Sequence, residues 1–211
     1  MSSKNNQFQQ LSQSKVIATL RCEKVDSLVD VAKALLEGGI RIMEVTFTVP
    51  KALQIIEAVA DQLGDQILLG AGTVLDTATA RSAMLAGAEF FVSPGTSLEV
   101  IQTCRTYDKM VIPGAMTPTE VLTAWQAGCD AVKIFPSDCL GPKHIKALKG
   151  PLPQIPLIPT GGINAENARE FMDAGALAVG VGGSLAPKSA IERGDLDMIR
   201  NNAAELCKSL Q

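Results

Sequence analysis

The sequence is short of histidine, of aromatics and of any excess of positive charge, and each shortage closes a class of function. His144 is the only histidine, so no multi-histidine metal centre can be assembled. Aromatic residues make up 4 % of the chain, too few for a platform on which single-stranded bases stack. The formal net charge is −3 and the pI about 5.3, which leaves no basic footprint for nucleic acid. No apolar run reaches the roughly 18 residues of a membrane span. The polar start, MSSKNNQFQQLSQSK, lacks the apolar core of a signal peptide. Cys22, Cys104, Cys129, Cys139 and Cys207 are scattered, odd in number and without a CxxC pair, so reduced thiols in a cytoplasmic protein are expected. With no histidine at hand to activate them, Cys22, Cys129 and Cys139 read as packing residues.

What is present is a core. Hydrophobic residues are 46 % of 211, enough for a single α/β domain over residues 1–211. After a leader that holds a short helix, β-branched runs alternate with amphipathic stretches. Strands are expected at Val16–Leu20, Ile42–Phe47, Ile67–Gly70, Phe90–Val92, Met110–Pro113, Ala131–Phe135, Leu157–Pro159 and Ala178–Val181. Helices are expected near 25–38, 51–63, 77–86, 97–105, 118–127, 141–149, 165–174 and 190–209. Eight such units in this length fit a (β/α)8 TIM barrel with a short N-terminal helix better than an open sheet. Thr96-Ser-Leu-Glu99 and Thr117-Pro-Thr-Glu120 read as capping boxes, and Asp76 and Asn164 as N-caps. Gly38-Gly39, Gly87, Gly128 and Gly175 mark helix ends.

Those glycines expose a repeat. Residues 38–44, 86–92, 127–133 and 174–180 align without gaps and form the even-numbered units. Glu44 and Lys133 fall in one column, five residues after Gly39 and Gly128. Barrel interiors are filled in layers by alternate strands, so both side chains should point inward in one layer. Gly180, in the same column, should leave room there. Lys133 sits in the apolar run Ala131-Val-Lys-Ile-Phe135, where an unpaired charge is costly. An uncharged amine resolves that cost, and a desolvated neutral amine is what a Schiff-base nucleophile must be. The other readings are a lysine that snorkels to the strand end or a structural ion pair with Glu44.

Barrel sites lie at the C-terminal ends of strands, and the residues leaving those ends here are unusually polar and glycine-rich. Thr160-Gly161-Gly162 and Gly180-Val-Gly182-Gly183-Ser184 follow strands seven and eight, the usual phosphate position of this barrel class. Backbone N–H groups in such loops close on phosphate oxygens, although glycine also serves plain tight turns. Arg21, the only arginine at a strand top, suits a carboxylate or phosphate, or is simply solvated. Thr73 could bond a carboxylate or be an ordinary loop threonine. Phe135, two residues after Lys133, should face the same side and could cover a substrate or fill core.

These segments resemble the KDPG/KHG aldolase family, the class I 2-keto-3-deoxy-6-phosphogluconate and 4-hydroxy-2-oxoglutarate aldolases. The resemblance runs from about Val16 to Leu185 and is carried by Gly39–Pro50, Gly70–Val74, Val92–Gly95, Ile112–Gly114, Val132–Pro136, Gly141-Pro142, Pro159–Ile163 and Gly180–Ser184. It implies that Lys133 forms the Schiff base and Glu44 is general acid/base. It implies that Thr73 holds the pyruvate carboxylate and that Thr160 lies by the reacting carbons. Gly161, Gly162, Gly182, Gly183 and Ser184 would take the phosphate. Some members carry an arginine where Thr48 stands here, so Arg21 inherits the carboxylate role. The resemblance implies no cofactor or metal, a small keto-acid or phosphosugar substrate, no nucleic-acid or membrane partner, and a homotrimer. Two rivals use the same glycine loops: another phosphate-binding barrel enzyme (an isomerase, or one like thiamine-phosphate synthase), and a non-catalytic sugar-phosphate binder.

Overall fold

The computed structural model describes residues 3–21 and 25–211; Cys22 lies outside the described residues. The chain alternates strands and helices almost throughout. The order is α1 (Ser3–Ser14), β1 (Val16–Leu20), α2 (Val25–Glu37), β2 (Ile42–Thr46), α3 (Ala52–Leu63), β3 (Leu68–Gly72), α4 (Thr77–Leu85), β4 (Phe90–Val92), α5 (Leu98–Thr106) and β5 (Met110–Ile112). It continues with β6 (Gly114–Ala115), α6 (Pro118–Gln126), β7 (Val132–Ile134), α7 (Gly141–Lys149), β8 (Leu157–Pro159), α8 (Ala168–Asp173), β9 (Val179–Val181), α9 (Lys188–Arg193) and α10 (Leu196–Ser209). Among the described residues no helix is long and apolar enough to cross a membrane.

All strand pairings are parallel, in a six-stranded sheet ordered β5-β4-β3-β2-β1-β9 and a three-stranded sheet ordered β6-β7-β8. The expected single ladder of eight strands is therefore divided. Pro113 is the cause at one seam: it offers no N–H to a ladder and splits the fifth strand into β5 and β6. Hydrogen bonds still cross there, from Asp130 N to the Val111 carbonyl (3.0 Å) and from Lys133 N to the Pro113 carbonyl (2.9 Å). At the other seam Thr160 bridges Gly180, and Leu177 N donates to the Leu157 carbonyl (2.9 Å).

The strands alternate between two cores. Ile17, Ile42, Leu68, Phe90, Met110, Ala131, Ile158 and Ala178 form an inner cluster on the concave face of the curled sheet. Val16, Met43, Leu69, Phe91, Val132 and Val179 point the other way, into a larger cluster with the helices. Leu11 of α1 is fully buried in the inner cluster with Phe8 packed beside it, so α1 covers the N-terminal ends of the strands. On the outer side, α3 buries Ile55, Ile56 and Val59, spaced to lie on one face. Each such aliphatic contributes roughly 1.5–3 kcal/mol.

Local signals hold in most places. Asp76 accepts from Thr79 N, and the capping box at Thr117 and Glu120 closes in both directions. Gly39, Gly87, Gly128 and Gly175 have φ between 87° and 105°, which only glycine adopts easily. The box expected at Thr96 is displaced by one residue. Thr96 Oγ1 donates instead to the Gly114 carbonyl (2.9 Å), and Ser97 caps α5. The expected final helix is two: Gly194, at φ 69°, ends α9, and Asp195 caps α10.

Candidate active site

The repeat glycines set the layers. Ile42, Phe90, Ala131 and Ala178 each lie three residues after one, and all four belong to the inner cluster. Two residues further on, with the same facing, stand Glu44, Val92, Lys133 and Gly180. Lys133 and Glu44 therefore share the next layer toward the C-terminal ends, 6 % and 2 % exposed. The structure places no described carboxylate within ion-pairing distance of Lys133; its Nζ lies 5.0 Å from the centre of the Phe135 ring. Phe135 thus faces the side expected of it.

Glu44 is held asymmetrically. Thr19, its Cα partner on β1, donates from Oγ1 to Oε1 at 2.9 Å, while Oε2 is buried with no hydrogen-bond partner among the described residues. A Cβ at Gly72 would lie 2.8 Å from the Glu44 carboxyl carbon, so β3 must present glycine there. The space expected at Gly180 is taken: a Cβ there would sit 2.3 Å from Thr160 Oγ1. Thr160 thus occupies the layer that Gly180 vacates.

The other expected residues gather at the same end. Thr73 follows β3 with φ 57°, a left-handed conformation that strains a β-branched residue by about 1–3 kcal/mol. Arg21, just after β1, is exposed and has no described polar partner. Gly161 and Gly162 have φ of 106° and 69°, and no heavy atom lies within 4 Å of a Cβ built at Gly183. Among the described residues, the N–H groups of Gly161, Gly162, Gly183 and Ser184 donate to no protein acceptor. Two loops thereby present four unused backbone donors. The Ser184 hydroxyl donates to the Ile163 carbonyl (2.8 Å), so its backbone N–H rather than its side chain is free to donate.

Asn164 does not cap α8, which starts four residues later. Its Oδ1 accepts from Glu166 N and Asn167 N in a preceding turn, and Asn167 Nδ2 donates to the Gly162 carbonyl (2.9 Å). These asparagines shape the loop in place of the helix end expected there.

Sequence reasoning gave no role to two buried hydroxyls. Ser137 donates to the Ile134 carbonyl (2.7 Å) and accepts from Thr160 N (3.1 Å), tying the ends of β7 and β8 together. Thr19 was legible only as a polar residue in an apolar strand. The cysteines divide. Cys104 and Cys129 are buried, and burial, with the Asp130 charge second, pushes both thiols up to about 12. Both are packing residues, as expected of Cys129. Cys139 is exposed, its Sγ 3.7 Å from Asp138 Oδ1, so it is not a packing residue. His144 Nε2 lies 2.7 Å from the Met116 carbonyl oxygen.

Comparison with known proteins gives the family. The family described as KDPG and KHG aldolase matches residues 8–202. A 2-dehydro-3-deoxy-phosphogluconate aldolase of Treponema pallidum is 38 % identical over 194 residues, covering 91 % of each chain. A 2-dehydro-3-deoxy-6-phosphogalactonate aldolase of Escherichia coli is 38 % identical over 171 residues, 81 % of this chain and 83 % of that one. The solved KDPG aldolase of Legionella pneumophila, with pyruvate captured as a covalent carbinolamine, superposes with a TM-score of 0.89 at 29 % identity, covering 97 % and 98 %. With the family model matching residues 8–202 and a 38 % identical relative aligned over 91 % of the chain, the protein belongs to the KDPG and KHG aldolase family.

Proposed function

We propose that the chain is a class I aldolase that cleaves 2-keto-3-deoxy-6-phosphogluconate to pyruvate and glyceraldehyde 3-phosphate. The observation that carries this is Lys133, buried on the concave face without a carboxylate partner among the described residues, in one layer with a Glu44 whose Oε2 has no described partner. The amine adds to the C2 carbonyl and loses water, giving an iminium. Glu44 takes the proton of the C4 hydroxyl, and the C3–C4 bonding pair moves to the iminium nitrogen. The aldehyde departs and an enamine remains. The carboxyl then returns its proton to C3, and water frees pyruvate and the lysine. A phosphate-binding isomerase or a passive sugar-phosphate binder has no use for that amine.

The remaining assignments belong to the same proposal. The strands close into an eight-unit barrel, a reading supported by the hydrogen bonds across both seams. Thr73 takes the substrate carboxylate and Thr160 stands by the reacting carbons. The glycine loops with Gly161, Gly162, Gly182, Gly183 and Ser184 take the phosphate. That phosphate cradle favours a phosphorylated keto acid over 4-hydroxy-2-oxoglutarate. Side-by-side kcat/KM values on these two and on the phosphogalactonate analogue decide the order.

Incubation with pyruvate, borohydride reduction and peptide mass analysis test the reaction. A reduced pyruvate adduct on Lys133 supports it; folded protein without an adduct removes it. Arg21→Ala should raise KM for the keto acid about 10-fold, the scale of losing a charge-assisted hydrogen bond at an exposed site, while trapping at saturating pyruvate persists. An unchanged KM would release Arg21 from the carboxylate role. Leu75, Leu98 and Leu140, exposed beside the C-terminal ends of β3, β4 and β7, offer apolar surface for self-association as a homotrimer. Light scattering should then give three times the 22.2 kDa chain mass, and a single-chain mass would refute the trimer.

A further inference from the structure

Thr19 belongs to none of the substrate contacts above, yet it is the only hydroxyl in Val-Ile-Ala-Thr-Leu of β1 and is 8 % exposed. It sits at an intersection. Its Oγ1 holds Glu44 Oε1 at 2.9 Å, and a Cβ built at Gly182 would lie 3.4 Å from its own Cβ. Strand pairing fixes it there, because Thr19 and Glu44 are Cα partners in the β1–β2 ladder. The Thr19 hydroxyl on Oε1 fixes how the carboxyl is turned about its last bond, so the other oxygen is the one left unbonded, and the carboxyl carbon lies 2.8 Å from where a Cβ on Gly72 would stand.

We propose that Thr19 is the positioning residue of the acid/base, selecting Glu44 Oε2 as the single atom that moves protons. This rests on the aldolase reading and deepens it. Oε2 is buried and has no partner among the described residues, a costly state unless a ligand group or water meets it. The C4 hydroxyl of the substrate, and afterwards C3 of the enamine, meet it in turn. In cleavage the C4 O–H proton passes to Oε2 as the C3–C4 bond breaks. In the next step the same proton passes from Oε2 to C3. Thr19 keeps its own proton throughout and acts only by holding Oε1.

Thr19→Val keeps shape and removes the hydroxyl; Thr19→Ser keeps the hydroxyl. Three readouts on the intact chain separate the possibilities: borohydride trapping of pyruvate, exchange of pyruvate methyl protons for solvent deuterium, and the kcat and KM of cleavage. Lys133 alone governs trapping at saturating pyruvate, whereas Glu44 Oε2 governs exchange. Thr19→Val should lower exchange and kcat about 10-fold, with KM and the final extent of trapping within about twofold, a fraction of what general acid–base catalysis supplies. Thr19→Ser should recover exchange to within about threefold. Exchange in Thr19→Val within about twofold of the unsubstituted chain would overturn the proposal. So would parallel loss of trapping and exchange that Thr19→Ser fails to restore, which marks a merely structural contact. Absence of an adduct in the unsubstituted chain would instead overturn the aldolase reading, and this inference with it.

Discussion

Lys133→Met should fold and be silent. Methionine matches the straight lysine stem and places no charge on the concave face, so its layer keeps its volume. Lys133 has no ion-paired carboxylate among the described residues, so the change strands no buried partner. Thermal unfolding should therefore occur at or above the temperature of the unsubstituted chain, because a buried amine is exchanged for an apolar group. Chemistry should vanish with the nitrogen. Without an iminium the electron pair of the breaking C3–C4 bond has nowhere to go. Turnover should fall on the order of 10⁴- to 10⁶-fold, the scale seen when a covalent nucleophile is removed. Borohydride should leave no pyruvate on the protein. Turnover within a hundredfold of the unsubstituted chain, or an adduct on another lysine, would show that the nucleophile had been misassigned.

How much of this could be read from residues alone depends on whether the signal was local. The Gly39 and Gly128 columns were enough to place Glu44 and Lys133 in one layer, because strand parity is a local rule that the fold leaves intact. Thr117 was legible as a cap for the same reason: everything it bonds lies within four residues. Thr96 was not. Its hydroxyl is drawn to the Gly114 carbonyl eighteen residues away, and Ser97 takes the cap it gives up. One of the two seams in the sheet turns on Pro113, a signal that was present but is weaker than the apolar run around it. Gly194 followed by Asp195 spelled a helix stop and a helix start, and the periodic pattern across them hid both. The site shows the same limit. That Gly180 lacks a side chain was visible; that Thr160 fills the gap from the neighbouring strand was not. Thr19 looked like one polar residue in a strand because its importance lies in a cross-strand register that no single segment encodes.

Glu44→Gln should separate the two halves of the chemistry. The amide keeps the size of the carboxylate, and its oxygen can still accept from Thr19 Oγ1, so the side chain stays where Gly72 leaves space for it. What it loses is an atom able to take a proton and give it back. Carbonyl addition at Lys133 does not need that atom to reach completion, so the pyruvate adduct should still form, only more slowly. Cleavage does need it. The C4 hydroxyl cannot surrender its proton to an amide, and the enamine cannot recover one. Turnover on the phosphorylated keto acid should fall about 10²- to 10⁴-fold, the range expected for removing a positioned general acid/base, with KM little changed. Deuterium exchange into the pyruvate methyl group should fall by the same factor, because it reports the C3 proton step alone. Equal losses in turnover and exchange, with the adduct preserved, would assign both proton transfers to one carboxyl. Turnover within about threefold of the unsubstituted chain would mean that another group moves these protons. The buried, unpartnered Oε2 would then need a different explanation.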